Sequence, residues 1–219
     1  MLAILDYGVG NLFSVQNACD HLGIPATITN DIAILRASDA IILPGVGAFK
    51  DAMQSLESSG LIPLIKTLIQ ENKPLLGICL GMQLLYEMSV EHGEYPGIGF
   101  IKGKVMDMKI ACPQELKIPH MGWNTLDFTK QSELTQNCKN GDAVYFVHSY
   151  YVVSDGSEVL ATAEYGVTVP AIIQQGNIYG MQFHPEKSGE IGLALLDSFY
   201  ELVMKQKEGG RKNDNLSSN

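Results

Sequence analysis

A chain of 219 residues, 46% hydrophobic and 18% charged, has enough apolar side chain to build the core of one globular domain. Its formal net charge of -9 argues against a broad surface for nucleic acid or an anionic membrane, and no apolar run approaches membrane-spanning length. The four cysteines, Cys19, Cys79, Cys112 and Cys138, are widely spaced and show no C-x-x-C metal pattern, so neither a metal nor a cofactor is expected. Residues 1–6 lack the basic start and long apolar run of a signal peptide and read as a strand, which points to a cytoplasmic protein.

Residues 2–7 are expected as the first strand, followed by a turn at Gly8-Val9-Gly10-Asn11 and a helix over 12–22. Gly8-x-Gly10 after a first strand evokes a dinucleotide fingerprint, but Phe13 stands where the third glycine belongs. Strands follow at 25–29 and 40–43, with a short helical segment opened by Asn30-Asp31 between them. The 40–43 run is wholly apolar, as a strand covered on both faces should be. Helices at 52–58 and 61–70 lead to an apolar strand at 75–78 and then to a helix over 80–88. This alternation implies a parallel, doubly wound sheet. Past residue 95, β-rich runs at 99–108, 116–118, 143–153, 159–163, 171–175 and 178–183 are expected to extend the same sheet with antiparallel strands. An amphipathic helix at 192–205 closes the chain. The expected fold is a single α/β domain over 1–206, with helices on both faces of a mostly parallel central sheet. The polar, glycine-rich segment 207–219 reads as a flexible tail.

The strand-to-helix junction at Gly77-x-Cys79-x-Gly81 carries the first chemical signal. It is the small-x-nucleophile-x-small pattern of a sharp elbow, with cysteine where hydrolases carry serine. Such a turn exposes Sγ at the carboxyl edge of a sheet, next to a helix N-terminus that favours thiolate. The pentapeptide alone is equally compatible with an inert cysteine packed between strand and helix. A catalytic reading needs a base and an oxyanion site from elsewhere.

Among the five histidines, His21 ends a helix and His92 lies in a polar loop. His184 is the best candidate base, because it follows an apolar strand and precedes the last helix. Glu186 lies two residues on, and in extended chain residues i and i+2 project to the same side. A carboxylate there can hold the imidazole tautomer and stabilise the imidazolium. Pro44-Gly45-Val46-Gly47, at the end of the third strand, is suited to offering peptide N–H groups to a developing oxyanion. An ordinary glycine turn would look the same.

Together, Gly77-Ile78-Cys79-Leu80-Gly81-Met82-Gln83-Leu84-Leu85 and Gln182-Phe183-His184-Pro185-Glu186-Lys187-Ser188 resemble the class I glutamine amidotransferases. Asp6-Tyr7-Gly8-Val9-Gly10-Asn11, Pro44-Gly45-Val46-Gly47-Ala48-Phe49, Pro119-His120-Met121-Gly122-Trp123-Asn124 and Val147-His148-Ser149-Tyr150-Tyr151 narrow the likeness. With them the chain is similar to the glutaminase subunits of imidazole glycerol phosphate synthases, over residues 2 to about 205.

The resemblance implies a Cys79–His184–Glu186 triad that hydrolyses glutamine through a thioester. It implies an oxyanion hole from Leu80 and from Val46 or Gly47, and glutamine contacts from Gly47, Gln83, Ser149 and Tyr150. It further implies that ammonia passes to a cyclase subunit, a (β/α)8 barrel, docked near Asn11, Trp123, Tyr145 and Lys187. The glycine-flanked Val46 peptide is the expected switch by which the partner controls activity. For Trp123, core packing is an equal alternative. An amidotransferase of the same class serving a different acceptor synthase is the alternative function.

Overall fold

The computed structural model describes the backbone of residues 1–216 and side chains through residue 209. The first half alternates: β1 (Leu2–Leu5), α1 (Leu12–His21), β2 (Ala26–Thr29), α2 (Ile32–Ala37), β3 (Ala40–Gly45), α3 (Phe49–Ser58), α4 (Ile62–Gln70), β4 (Leu75–Cys79) and α5 (Leu80–Gln83). A β-rich half follows: β5 (Tyr86–Ser89), β6 (Tyr95–Pro96), β7 (Ile101–Asp107), then the short α6 (Met108–Ala111), β8 (His120–Thr125), β9 (Asp127–Phe128), β10 (Ala143–His148) and β11 (Tyr150–Val153). The chain closes with β12 (Val159–Glu164), β13 (Thr168–Gln175), β14 (Ile178–Met181) and α7 (Gly189–Leu216).

The central sheet has eight strands in the order β2-β1-β3-β4-β14-β13-β12-β9. Pairing is parallel from β2 through β14 and antiparallel from β14 to β9. This is the mostly parallel α/β sheet with an antiparallel extension that the sequence leads one to expect. Strand alternation divides the core in two. Leu2, Ile4, Ala40 and Ile42 face α1 and α7, packing with Val15, Leu195 and Phe199. Ala3, Leu5, Ile41 and Leu43 face α3 and α4, packing with Phe49, Leu56 and Ile65. Each wholly buried Ile or Leu contributes about 1.5–3 kcal/mol. Both faces of β3 are covered, which is why that strand tolerates no polar residue.

Several expectations need correction. The helix expected over 80–88 is a single turn, and Tyr86–Ser89 is a strand instead. Leu84, Leu85 and Met88 satisfy helical spacing, but pairing of β5 with β7 overrides the local preference. The run at 116–118 is loop, and the strand lies just after it, at β8. The later strands do not all join one sheet. β8 and β10 form a two-stranded sheet, and β11-β7-β5-β6 a four-stranded one. A break at Ser149, between β10 and β11, splits the run expected as one strand. The last helix begins at Gly189 and its backbone continues to Leu216, into the segment read as tail. Residues 217–219 lie outside the described residues. Lys207, at the start of that segment, pairs with Asp39 at 2.8 Å. Among the described residues, no helix is long and apolar enough to cross a membrane.

Candidate active site

The nucleophile candidate sits where β4 becomes α5. Cys79 has φ 54° and ψ -114°, a conformation that L-residues rarely adopt. The flanking glycines explain how the chain turns so tightly. A Cβ on Gly81 would lie 1.8 Å from the Leu43 carbonyl oxygen, and one on Gly77 2.7 Å from the Met82 Cα. Neither position has room for any side chain, so α5 starts directly against β3 and β4.

The base arrives on the neighbouring strand. β14 runs parallel to β4 with Met181 opposite Ile78. The carboxyl ends of the two strands therefore deliver Cys79 and His184 side by side, as expected for a ligand crevice in an open α/β sheet. His184 Nδ1 donates to Glu186 Oε1 at 2.8 Å, with both side chains buried. The His184 ring and Cys79 line the same cavity. Burial by itself would lower the His184 pKa. The interaction with Cys79 and the hydrogen bond to Glu186, with the negative charge on each, outweigh burial and raise it to about 9. The imidazolium is thus the form of His184 favoured at neutral pH. Asn11 Nδ2 gives Glu186 Oε1 a second, longer bond of 3.4 Å.

A cavity of about 220 Å³ opens onto the sulfur. That is smaller than a drug-sized pocket and suits one amino acid. Its lining brings together Val46, Gly47, Cys79, Leu80, Gln83 and His184 with Ser149 and Tyr150. Besides Cys79 and His184, these are all the expected oxyanion and glutamine-contact positions, drawn from three separate stretches of chain. Leu80 opens α5, and the N–H of a first helical residue has no acceptor in its own helix. Gly47 has φ 90°, in the left-handed region that suits glycine. The loop that holds it is tethered at its start, where the buried Tyr7 hydroxyl donates to the Pro44 carbonyl at 2.8 Å. Burial, with the Cys79 charge nearby, pushes the Tyr7 pKa up, so the phenol stays a donor.

A family model described as glutamine amidotransferase class-I matches residues 3–202. The chain belongs to the class I glutamine amidotransferases. The amidotransferase is 50% identical over 211 residues to the imidazole glycerol phosphate synthase subunit HisH of Bacillus licheniformis, covering 94% of this chain and 99% of that one. It is 46% identical to HisH of Bacillus subtilis, over 94% of this chain and 99% of the relative. Among solved structures it resembles PurLQS from Thermotoga maritima, with a TM-score of 0.72 at 19% identity over 92% of this chain and 98% of that one. Another solved structure, a crystal structure of a glutamine amidotransferase, gives a TM-score of 0.71 at 21% identity, covering 92% of this chain and 98% of the other. At such identities the two structures speak for the fold alone.

The remaining expected positions lie outside this amidotransferase's cavity. Trp123, on β8, is 59% exposed and meets Tyr145 edge-to-face at 6.2 Å across the β8–β10 pair, so it is no core residue. Lys187 is exposed, whereas Asn11 turns inward onto Glu186. Sequence reasoning assigned no role to Glu91, His148 or Gln182. Glu91 and His148 line the cavity, and the fully buried Gln182 donates from Nε2 toward Cys79 Sγ at 3.9 Å. His148 and Gln182 stand inside the motifs that carried the resemblance, but no spacing rule marks them. Their roles come from partners about a hundred residues away or on another sheet.

Proposed function

We propose that this chain is the glutaminase subunit of an imidazole glycerol phosphate synthase, working in the cytoplasm. The observation that carries the proposal is the convergence of Cys79, the His184–Glu186 pair and the Leu80 and Val46–Gly47 backbone on one small cavity. The 50% identity to a HisH subunit along nearly the whole chain supports the choice of acceptor system over another amidotransferase pathway.

The Cys79 thiolate, paired with protonated His184, attacks the side-chain amide carbon of glutamine. The tetrahedral oxyanion is held by the Leu80 N–H and by one from the Val46–Gly47 peptide; losing such a donor costs about 10²–10³ in rate. Collapse breaks the C–N bond, and His184 gives its proton to the leaving ammonia. His184, now neutral, takes a proton from water as the water attacks the thioester, releasing glutamate and restoring the thiolate–imidazolium pair. Glu186 keeps Nδ1 as the donor throughout, leaving Nε2 to the reaction.

Ammonia released into water would be protonated and lose its nucleophilicity. It passes instead into a docked cyclase subunit, a (β/α)8 barrel. There it enters a phosphoribulosyl-formimino aminoimidazole carboxamide ribotide, giving imidazole glycerol phosphate and aminoimidazole carboxamide ribotide. Trp123, Tyr145 and Lys187 belong to the docking face, and the Val46–Gly47 peptide is the switch. The deciding experiment is a glutaminase assay with and without the barrel subunit and its nucleotide ligand. Weak activity alone and strong stimulation by both is the expected result. Full activity in the isolated chain would remove the switch, and failure to hydrolyse glutamine in any combination would overturn the function.

A further inference from the structure

Two buried imidazoles, His120 and His148, take no part in the chemistry above, although they are only 2% and 7% exposed. His120 Nδ1 and His148 Nε2 lie 2.9 Å apart. The ring of His120 is stacked between Phe146, at 4.6 Å, and Tyr165, at 4.1 Å, which fixes its plane. Their surroundings determine where every proton sits. His148 Nδ1 is 2.8 Å from the Tyr150 carbonyl, which can only accept, so Nδ1 carries the hydrogen. In a neutral ring His148 Nε2 then accepts, and His120 Nδ1 must donate to it. His120 Nε2 in turn accepts from Asn124 Nδ2 at 3.2 Å. The Asn124 amide cannot be reversed: its nitrogen donates to the Glu164 carbonyl at 2.9 Å and its oxygen accepts the Thr125 N–H at 2.8 Å. A second proton on His148 would set N–H against N–H at the 2.9 Å contact, and one on His120 would set Nε2–H against the Asn124 amide N–H at 3.2 Å. Burial keeps both rings neutral, lowering the pKa of His120 to about 4 and that of His148 to about 3.

The far end of this chain of bonds is in the cavity. The Tyr150 carbonyl accepts from His148 and also from Gln83 Nε2, at 2.9 Å. Gln83 Nε2 spends its other hydrogen on Gln182 Oε1, again at 2.9 Å. Both hydrogens of the Gln83 amide are therefore committed, and only its Oε1 is left to meet a ligand. Gln182, held by that bond, points Nε2 and not its oxygen at Cys79 Sγ. One polar path runs from β8 to the nucleophile, and its orientation is set by the carbonyls it ends on and the Asn124 amide.

We propose that His120 and His148 are positioning residues for glutamine: as a neutral pair they hold the Tyr150 carbonyl, and through it the Gln83 amide, so that Gln83 presents an acceptor to the substrate's N–H groups. The proposal rests on the glutaminase reading of the cavity. An apolar pair of the same size would fill the space between Phe146 and Tyr165, but it would leave the Tyr150 carbonyl with one donor fewer and free to turn.

The test uses the full chain with its barrel partner and L-glutamine. His120→Phe keeps the stack on Phe146 and Tyr165 and removes both hydrogen bonds. The expected result is a rise of about tenfold in KM for glutamine, the size of one lost hydrogen bond, with kcat changed by less than about threefold. His120→Gln, which retains one donor and one acceptor, should recover most of that loss. The double variant His120→Phe/His148→Phe should be little worse than His148→Phe alone, since His120 acts through His148. An unchanged KM in folded His120→Phe, or additive losses in the double variant, would overturn the proposal. Imidazole nitrogen NMR of the ligand-free wild-type chain at neutral pH gives a readout independent of activity and of any variant's folding. It should show both rings neutral with hydrogen on Nδ1. A charged ring or hydrogen on Nε2 of either would overturn the pair even if glutaminase activity is normal. A correct NMR signature with no glutamine hydrolysis in any assembly would instead count against the function of the cavity.

Discussion

Glu91 Oε2 accepts the backbone N–H of Phe49 at 2.7 Å, from 42 residues further along the chain. Phe49 opens α3, immediately after the loop that holds Val46 and Gly47, and Ala48 at the helix N-cap offers no side-chain acceptor of its own. Glu91 supplies the cap from the loop after β5, where a carboxylate also meets the favourable end of the helix dipole. The same residue lines the cavity. One carboxylate thus clamps the far end of the oxyanion loop, as Tyr7 clamps its start. Replacing Glu91 with Ala should cost about 1 kcal/mol, a fall of about 2–4 °C in melting temperature, and slow glutamine turnover. Glu91→Gln keeps an acceptor and should retain most of the stability. A Glu91→Ala chain that melts with the wild type in calorimetry would show that the cap is energetically idle.

Cys79→Ala should abolish glutamine-dependent synthesis in the complex while leaving synthesis from added ammonia intact. Loss of both activities would make Cys79 structural. The backbone at Cys79 adds a second expectation. Its positive φ burdens any L-residue, alanine included, by about 1–2 kcal/mol, but not glycine. Cys79→Gly should therefore melt above Cys79→Ala, despite glycine's greater freedom in the unfolded chain. The reverse order would mean that the elbow carries no strain.

The histidines impose opposite pH dependences. His184 has its pKa raised to about 9, so the stability it supplies is complete below its ordinary value of about 6.5 and is lost as pH rises through about 9. The stability gap between the wild type and Glu186→Gln should be widest near pH 6 and narrow as pH rises toward about 9. His120 and His148 have lowered pKa values. Their contribution is present above about 6.5 and drains away as pH falls toward about 4 and about 3. Acid melts of His120→Phe should accordingly be flatter than those of the wild type over that range. Parallel melting profiles would contradict the assignment of neutral rings.

Two glycines should respond differently to the same substitution. Gly81→Ala would drive a methyl group into the Leu43 carbonyl oxygen, and backbone must move to admit it. Poor folding, or a loss of at least about 1–3 kcal/mol, is expected. Gly47→Ala meets nothing within 4 Å and suffers only from its positive φ. It should fold, at a cost of about 1–2 kcal/mol, with its glutaminase activity more impaired than its stability. Equal losses of stability in the two variants, measured by denaturant titration, would refute the steric account.

Much of this architecture can be read from residues alone where one physical rule dominates. The apolar runs that become β1, β3 and β4 suit covered parallel strands, and Gly77-x-Cys79-x-Gly81 marks a tight strand-to-helix junction, though not by itself a reactive thiol. Reading fails where pairing overrules local preference. The strand β8 contains Gly122 and Asn124, poor strand formers, and exists because Ala143–His148 pairs with it residue for residue. Tyr86–Ser89 looks helical until β7 is beside it. The same holds for the site. The triad follows known motifs, but Glu91, His120 and Gln182 act through contacts 28 to 103 residues away in sequence, which no local pattern reports.

The neighbouring placement of β4 and β14 means that the chain between the nucleophile and the base is a detour as far as their meeting is concerned. The mostly exposed loop at 113–117 lies on that detour and belongs to neither strand. A backbone cut there should leave two pieces, 1–114 and 115–219, that find each other through the β4–β14 ladder and rebuild the reactive thiol. Co-expressed fragments that fail to label at Cys79 with a glutamine-analogue electrophile would show that continuity of the chain, and not only its pairing, is needed. If they do label, the two halves of this enzyme can be supplied, and switched, separately.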